Sequence, residues 1–358
     1  MTTHQEIITE DIEEIIRNVG LDTFEKLSGK NILITGANGL LASYIVDTIA
    51  YLNEHFFDRP CVAVCPIRSP LKEKDRLGHL LYKKDIIFIQ HDVVRPLRRD
   101  IHIDFIVHAA GKSTPKYFVS DPIGTIDVNT TALRWLLDLA VKDKTESFVY
   151  FSSAEVYGNL TDENIPTPET CPGSTVTTGP RSCYSESKRC GEALCLAFHR
   201  VYSVPVKILR PVTIYGPGLS IYDSRVMSEF MRSAIENKSI TMLNEGSAIR
   251  NFCYITDATI MFWKIFLSEK NGEVFNIGHY ENGITIRELA SIILRLCTGN
   301  ENNLSFQKSD LNYSESAPMR VYPDMSKVLN MFGYKAKVKI EDGLKRTIDW
   351  NISKYNLH

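Results

Sequence analysis

Short apolar runs alternate with longer stretches of helical spacing through the first two thirds of the chain. Asn31-Ile-Leu-Ile-Thr35, Cys61-Val-Ala-Val-Cys65, Ile86-Ile-Phe-Ile-Gln90, Phe105-Ile-Val-His108, Ser147-Phe-Val-Tyr-Phe151 and Pro205-Val-Lys-Ile-Leu-Arg210 each read as a buried strand. Helices are expected over about 40–53, 124–142 and 184–202. Strands that alternate with helices indicate a parallel sheet covered on both faces, an α/β fold. Before it, Ile7, Ile8, Ile12, Ile15 and Ile16 recur at helical spacing, so residues 1–28 read as a helical extension that packs on the body or on a second copy. After about residue 215 the pattern loosens. Helical stretches at 224–237, 257–269 and 285–298 mix with short strands at 240–243 and 274–277.

Composition narrows the picture. A chain of 358 residues is too long for one small core and fits a large α/β domain with a smaller appended region. With 44% hydrophobic and 23% charged residues and a net charge of -2, it carries no basic run that would point to nucleic acid or a membrane surface. The start, MTTHQEIITEDIEEIIRNVG, is acidic and amphipathic, unlike a secretory signal, and no apolar run reaches membrane-spanning length. The eight cysteines form no CxxC pair and sit at no metal-ligand spacing with histidine. Buried thiols in a reducing cytosol are therefore expected, with no metal site. In a cytoplasmic protein the sequon Asn129-Thr-Thr carries no glycan.

The first candidate chemistry follows the first strand, at Thr35-Gly36-Ala37-Asn38-Gly39-Leu40-Leu41-Ala42. Gly36 and Gly39 allow a tight turn and close backbone approach to a pyrophosphate. Ala42 lets the helix pack on the sheet, and the helix N-terminus turns unpaired N–H groups toward the phosphates. A glycine turn between a strand and a helix, at the head of an alternating fold, predicts a Rossmann-type doubly wound sheet that binds a dinucleotide. The acid that usually grips the adenosine ribose after the second strand is missing. That segment reads Val64-Cys65-Pro66-Ile67-Arg68-Ser69, and Arg68 suits either a 2′-phosphate, as in NADP, or stacking on adenine in an NAD enzyme. Asp92, after the third strand, is placed to meet the adenine amino group.

The second candidate is Tyr184-Ser-Glu-Ser-Lys188, which puts Tyr and Lys on one helix face. A phenol titrates near pH ~10, and a fixed ammonium one turn away is expected to lower that value and make Tyr184 a usable base. Ser153, in Ser152-Ser153-Ala154-Glu155-Val156-Tyr157-Gly158 after the fifth strand, can hold a substrate oxygen beside it.

Together these motifs resemble the extended short-chain dehydrogenase/reductase family, in its nucleotide-sugar epimerase, dehydratase and decarboxylase branch. The resemblance runs over about 29–350 and includes Arg210-Pro211, Tyr215-Gly216-Pro217-Gly218, Gly246 to Asp257, Asn276-Ile-Gly278 and Arg320-Val-Tyr-Pro-Asp324. It implies a dinucleotide-binding domain at 29–215 that carries the catalytic residues, and a mainly substrate-binding region at 216–358. The implied cofactor is NAD, with NADP possible, and Gly36, Asn38, Gly39, Leu40, Arg68, Asp92, Ala109, Ala110, Tyr184 and Lys188 would hold it. A nucleotide-diphosphate sugar would meet Lys112, Thr114, Arg181, Thr213, Arg225, Arg250 and Arg320, guanidinium forks being suited to phosphate and carboxylate. Homodimers are implied through helices 124–142 and 184–202, with apolar faces from Ala132, Leu133, Leu136, Leu137, Ala140, Ala193, Leu194 and Ala197. The plainer alternative is that these residues only cover the sheet.

Within the branch, Gly179-Pro-Arg181-Ser-Cys-Tyr184 and Asp223-Ser-Arg225-Val-Met-Ser-Glu-Phe230 are most similar to the UDP-glucuronate decarboxylases. The resemblance implies a working Glu155, shared with the 4,6-dehydratases, whereas 4-epimerases carry a small polar residue there. The dTDP-glucose dehydratase places an Asp before that Glu to protonate the leaving hydroxyl; here Ala154 stands in that place. Elimination of water needs an acid as well as a base, and decarboxylation of a β-keto acid does not. The expected catalytic set is Ser153, Glu155, Tyr184, Lys188 and Arg250. Departures are Thr213 and Glu229, where the decarboxylases carry Asn, and the loop His108-Ala-Ala-Gly-Lys112-Ser-Thr114, which adds a cation near the nicotinamide. A 4-epimerase, a 4,6-dehydratase and an NADPH-dependent 4-ketoreductase stay open as alternatives. So does a dinucleotide-binding sensor or scaffold, against which the intact Ser153, Tyr184 and Lys188 argue.

Overall fold

A computed structural model describes residues 3–98, 100–281, 283–299, 303–306 and 319–357. Seven strands form one parallel sheet: β1 (Asn31–Thr35), β2 (Val62–Ile67), β3 (Ile86–Gln90), β4 (Phe105–His108), β5 (Ser147–Phe151), β6 (Val206–Pro211) and β7 (Glu273–Ile277). Their order is β3-β2-β1-β4-β5-β6-β7. The direction of winding reverses between β1 and β4, and a crevice at the carboxyl ends of those strands is where doubly wound folds bind ligands. Successive residues serve opposite faces of the sheet. Ile32 and Ile34 join one buried cluster while Leu33 joins the other. In β5, Val149 and Phe151 divide from Phe148 and Tyr150 in the same way. Burial on both faces makes the strands continuously apolar, which is why they stand out in the sequence.

The N-terminal helix α1 (His4–Val19) starts at a capping box, Thr3 with Glu6. Its Ile7, Ile8, Ile12, Ile15, Ile16 and Val19 are all buried in the larger core. The extension thus packs on the body, and its apolar stripe is used within the chain. The helix after the glycine turn is α2 (Leu40–His55).

The expected helix 124–142 is broken. A helix over Pro122–Asp127 passes through a π-helical turn, Val128–Ala132, before α3 (Leu133–Asp143). Ala132, Leu133, Leu136, Leu137 and Ala140 are buried beneath the sheet's second face, so this part of the expected dimer surface is consumed by the core. On α4 (Ser182–Tyr202), Ala193 is exposed and Leu194 and Ala197 are half-buried.

The expected boundary at 215 does not part the sheet from the rest, because β7 lies beyond it and pairs with β6. Helix α5 (Ile255–Phe266) is almost wholly buried in the first core, with Phe262 stacked on Phe151 at 5.7 Å between ring centroids. The smaller sheet centres on Ile249–Tyr254, which pairs with Thr213–Tyr215, Gly283–Thr285 and Arg320–Val321. That strand and α6 (Ile340–Tyr355) were not among the expected elements.

Candidate active site

The turn after β1 is shaped for close approach. Gly36 has φ +71°, and a Cβ there would lie 2.6 Å from both the Cα and the N of Ala110 in the turn after β4. Only glycine fits. Gly39 caps α2, and its N–H bonds the Gly36 carbonyl at 2.8 Å. Asn38 and Gly39 are exposed at the mouth of this cradle, with Leu40, Ala109 and Ala110 half-buried around it. The α2 N-terminus carries no side-chain cap, so its first N–H groups are available to an anion. This is the cradle a dinucleotide pyrophosphate requires.

Beyond β5, Ser153 and Tyr184 come together, with the Ser153 hydroxyl placed to favour the Tyr184 phenolate. Lys188 is buried, its Nζ donating to the Phe151 carbonyl at 2.5 Å and lying 5.8 Å from the Tyr184 ring centre. The sequence led us to expect that the lysine ammonium would lower the phenol's pKa. Instead burial pushes Tyr184 up to about 12, and the Glu155 carboxylate acts in the same direction. The forces that favour its phenolate come from the Ser153 hydroxyl and the charges of Arg181 and Arg225. Burial pulls Lys188 down to about 7, against the carboxylate of Glu192. Burial thus opposes the charged form of both residues, and near neutral pH Lys188 can gain or lose its proton.

The third group faces Tyr184 from the substrate side. Arg181 stands at the start of α4, and its Nε donates to Glu155 Oε2 at 3.2 Å, with a second, closer contact from Nη2 to Oε1. Its guanidinium lies 5.4 Å from the centre of the Phe118 ring, which itself stacks on Tyr184 at 4.7 Å. Arg250 projects from the small sheet. It donates to the carbonyls of Ile249 and Met319 at 2.9 and 3.3 Å and forms no ion pair among the described residues. Burial lowers its pKa, the Glu155 charge raises it and the Arg181 charge lowers it. Two guanidinium groups therefore share the field of one carboxylate.

The other expected contacts lie on several elements. Thr213 opens a strand of the small sheet, opposite Phe252. Arg225 is held in a fork by Asp223 at 2.9 and 3.0 Å. Thr114 starts the helix Pro115–Ser120, and Lys112 is buried beside it, paired with Asp121. Arg68 and Asp92 are exposed at the ends of β2 and β3, and both act electrostatically on Lys112. Arg320 is 44% exposed at its side chain and paired with Asp162 on the surface, which is the weakest tie of the set to the crevice.

Sequence reasoning overlooked three supports. Asn129 was read only as a sequon. It is fully buried in the π turn, where Nδ2 donates to Ser187 Oγ at 2.9 Å and Oδ1 accepts from the Tyr150 hydroxyl at 3.3 Å. π turns often mark functional sites, and a polar residue on the apolar face of a predicted helix was the available signal. His108 is fully buried between Thr35 Oγ1 at 2.8 Å and the Val128 carbonyl at 2.9 Å, and burial drives it down to about 3, so the ring is neutral. Phe118, the floor under Tyr184, had no sequence signal.

Residues 32–278 match the model of the NAD dependent epimerase/dehydratase family. UDP-glucuronic acid decarboxylase 5 of Arabidopsis thaliana is 31% identical over 317 residues, 88% of each chain. The dTDP-glucose 4,6-dehydratase DesIV of Streptomyces venezuelae, solved with NAD, superposes with TM-score 0.75 at 22% identity over 89% of this chain and 96% of its own. UDP-glucuronic acid 4-epimerase of Bacillus cereus, solved with UDP-glucuronic acid and NAD, gives 0.74 at 24% identity over 90% and 98%. With the glycine cradle and the Ser153, Tyr184 and Lys188 group in place, the chain belongs to the NAD dependent epimerase/dehydratase family and is an NAD-dependent enzyme of the extended short-chain dehydrogenase/reductase type.

Proposed function

We propose that the protein decarboxylates UDP-glucuronate to a UDP-pentose without net redox change. The observation that carries this reading is Arg250, half-buried beside a Glu155–Arg181 pair and lacking any carboxylate of its own among the described residues. A substrate anion would complete the charge balance there, and a planar guanidinium matches a carboxylate in a fork. Ala154, buried next to Glu155, offers no acid for expelling a hydroxyl, which weighs against dehydration. Kinship at 31% identity with a UDP-glucuronic acid decarboxylase supports the same choice.

In this reading Tyr184 takes the proton of the sugar 4-hydroxyl and Ser153 shares the oxygen. Gly36, Asn38, Gly39 and Leu40 would hold NAD, which would supply a reversible hydride acceptor at C4. Arg250 pairs with the C5 carboxylate and releases it as the C–C bond breaks. The electron pair passes into the adjacent C4 ketone as an enolate. C5 then takes up a proton, so one solvent proton is consumed per CO2. Tyr184 gives its proton back to the C4 oxygen. Lys188, its Nζ bonded to the Phe151 carbonyl, stands one helical turn from Tyr184 and, when protonated, supplies positive charge beside it.

Incubation with UDP-glucuronate, followed by mass spectrometry of sugar nucleotide and CO2, tests the reading. Loss of CO2 with no net change in the dinucleotide is expected, and Tyr184→Phe should abolish turnover while cofactor still binds. Turnover without CO2 would move the assignment to an epimerase or dehydratase. We place the protein in the cytoplasm on its eight free cysteines. Among the described residues, no helix is long and apolar enough to cross a membrane. The assembly proposed is a homodimer through the exposed parts of Pro122–Asp127 and α4, which leave Ile123 69% and Val201 70% exposed; sedimentation tests it.

A further inference from the structure

We infer that the adenosine-ribose end of the cofactor site accepts a 2′-phosphate, so that this chain binds NADP(H) at least as tightly as NAD(H). The inference rests on the cofactor site above and not on the identity of the sugar. NAD is selected in doubly wound folds by an acidic residue after the second strand, which bonds the ribose hydroxyls and repels a phosphate. No such residue is present here. Cys65, Pro66 and Ile67 close β2 as buried side chains, and Arg68, Ser69 and Pro70 follow as exposed ones. β2 pairs with β1 in the register Leu33 with Val64, so the glycine cradle and Arg68 leave neighbouring strands at one edge of the sheet. The Ile67 carbonyl accepts from the His91 N–H at 2.8 Å, and the Arg68 carbonyl from Gln90 at 3.5 Å. The backbone that presents Arg68 is thereby tied to the end of β3.

The charges around it are already apportioned. Lys112, which feels Arg68, is matched by Asp121. Asp92, on the next strand, accepts the Val94 N–H at 3.1 Å in its own turn. Arg68 forms no ion pair among the described residues, and Ser69 beside it adds an exposed hydroxyl. A guanidinium and a hydroxyl at the ribose position match a phosphate monoester.

The test is a titration of the full-length protein, freed of copurified dinucleotide, with NADH and with NADPH, read by nicotinamide fluorescence without any sugar. The expected result is an NADPH Kd equal to or below that of NADH. Arg68→Ala should raise the NADPH Kd at least tenfold and leave the NADH Kd within twofold, and Arg68→Glu should reverse the preference. Because Arg68 is exposed, neither change should disturb folding. Weaker binding of NADPH than NADH by the native chain, or an Arg68→Ala variant that weakens both alike, overturns the inference. Absence of binding by either dinucleotide overturns it too, together with the cofactor site, whereas failure of UDP-glucuronate as substrate would leave it standing.

Discussion

Two carboxylate–guanidinium clusters meet the strand Ile249–Tyr254, and only one of them is closed. Asp11 of α1 is buried and fully engaged. Its oxygens accept from the Tyr44 hydroxyl at 2.7 Å, the Tyr254 hydroxyl at 3.1 and 3.2 Å, and Arg346 at 2.9 Å. Arg346 also pairs with the exposed Glu10 at 3.1 Å, so its charge is fully matched, and both Asp11 oxygens have donors. α1, α2, the strand Ile249–Tyr254 and α6 are bolted together at that point. At the other cluster one carboxylate, Glu155, faces two guanidinium groups, and among the described residues Arg250 bonds only to backbone carbonyls. Both clusters touch the same strand, four residues apart at Arg250 and Tyr254. A closed cluster reads as structure, and one with a surplus charge reads as a receptor.

Breaking each cluster should therefore give opposite phenotypes. The largest effect is expected from Asp11→Ala. It leaves Arg346 without its buried partner and removes the acceptor of two tyrosine hydroxyls, which should cost about 3 kcal/mol of stability. That figure lies at the low end for such pairs because Arg346 keeps part of its side chain in water. Denaturant unfolding should show the loss, and turnover per folded molecule should stay within twofold. A fall in turnover of tenfold or more would mean that the bolt also tunes the site.

Arg250→Gln should do the reverse. The two carbonyls it serves can still be reached by an amide, so stability should change by less than about 1 kcal/mol. The value of kcat/KM for UDP-glucuronate should drop by about 30- to 300-fold, the equivalent of roughly 2–3 kcal/mol for a charge-assisted contact. Equal losses on UDP-glucose and UDP-glucuronate binding would sink the role given to the carboxylate.

The pH dependence separates the clusters a third way. Burial raises Asp11 from 3.8 to about 6, ahead of the opposing pull of Arg346 and the hydroxyls. Folded Asp11 therefore holds its proton where the unfolded chain has lost it. Its contribution to stability is fully present below about pH 4 and is lost as pH rises through about 6. Relative to Asp11→Asn, the native protein should lose on the order of 2–3 kcal/mol between pH 4 and pH 7. Unfolding curves for the two proteins over that range check the sign; a gain in the native protein's favour as pH rises would refute it.

How much of this could be read beforehand depends on which force wrote it. Five of the seven main strands are buried on both faces, and their apolar runs announce them. The glycine turn and the Tyr184–Lys188 spacing are local geometry, so one segment of sequence is enough. What escaped is non-local. Asn129 looks like a glycan acceptor until the helix that carries it is seen to bulge and turn it toward Ser187 and Tyr150. The strand Ile249–Tyr254 has no alternation to betray it, since Phe252, Cys253 and Tyr254 are all buried. Asp11 looked like one more acid on an amphipathic helix, because its three partners lie between 33 and 335 residues away. The phenol was misjudged for a similar reason: helical spacing fixes where Lys188 stands, but tertiary burial decides what the pair's protons do.

Arg320 gives the smallest effect and the sharpest edge to the comparison. Its backbone runs beside that of Ile249, one residue before Arg250, yet its side chain is 44% exposed and paired with Asp162, which is 78% exposed. A pair so wet is worth well under 1 kcal/mol to the fold, so Arg320→Ala and Asp162→Ala should unfold alike and close to the native protein. They should part in binding. If Arg320 reaches the nucleotide diphosphate, removing it should raise KM a few-fold and more at low salt, while removing Asp162 frees the guanidinium and should lower KM slightly. Parallel shifts in the two variants would return Arg320 to the surface and leave Arg250 as the cation of the small sheet that faces the sugar.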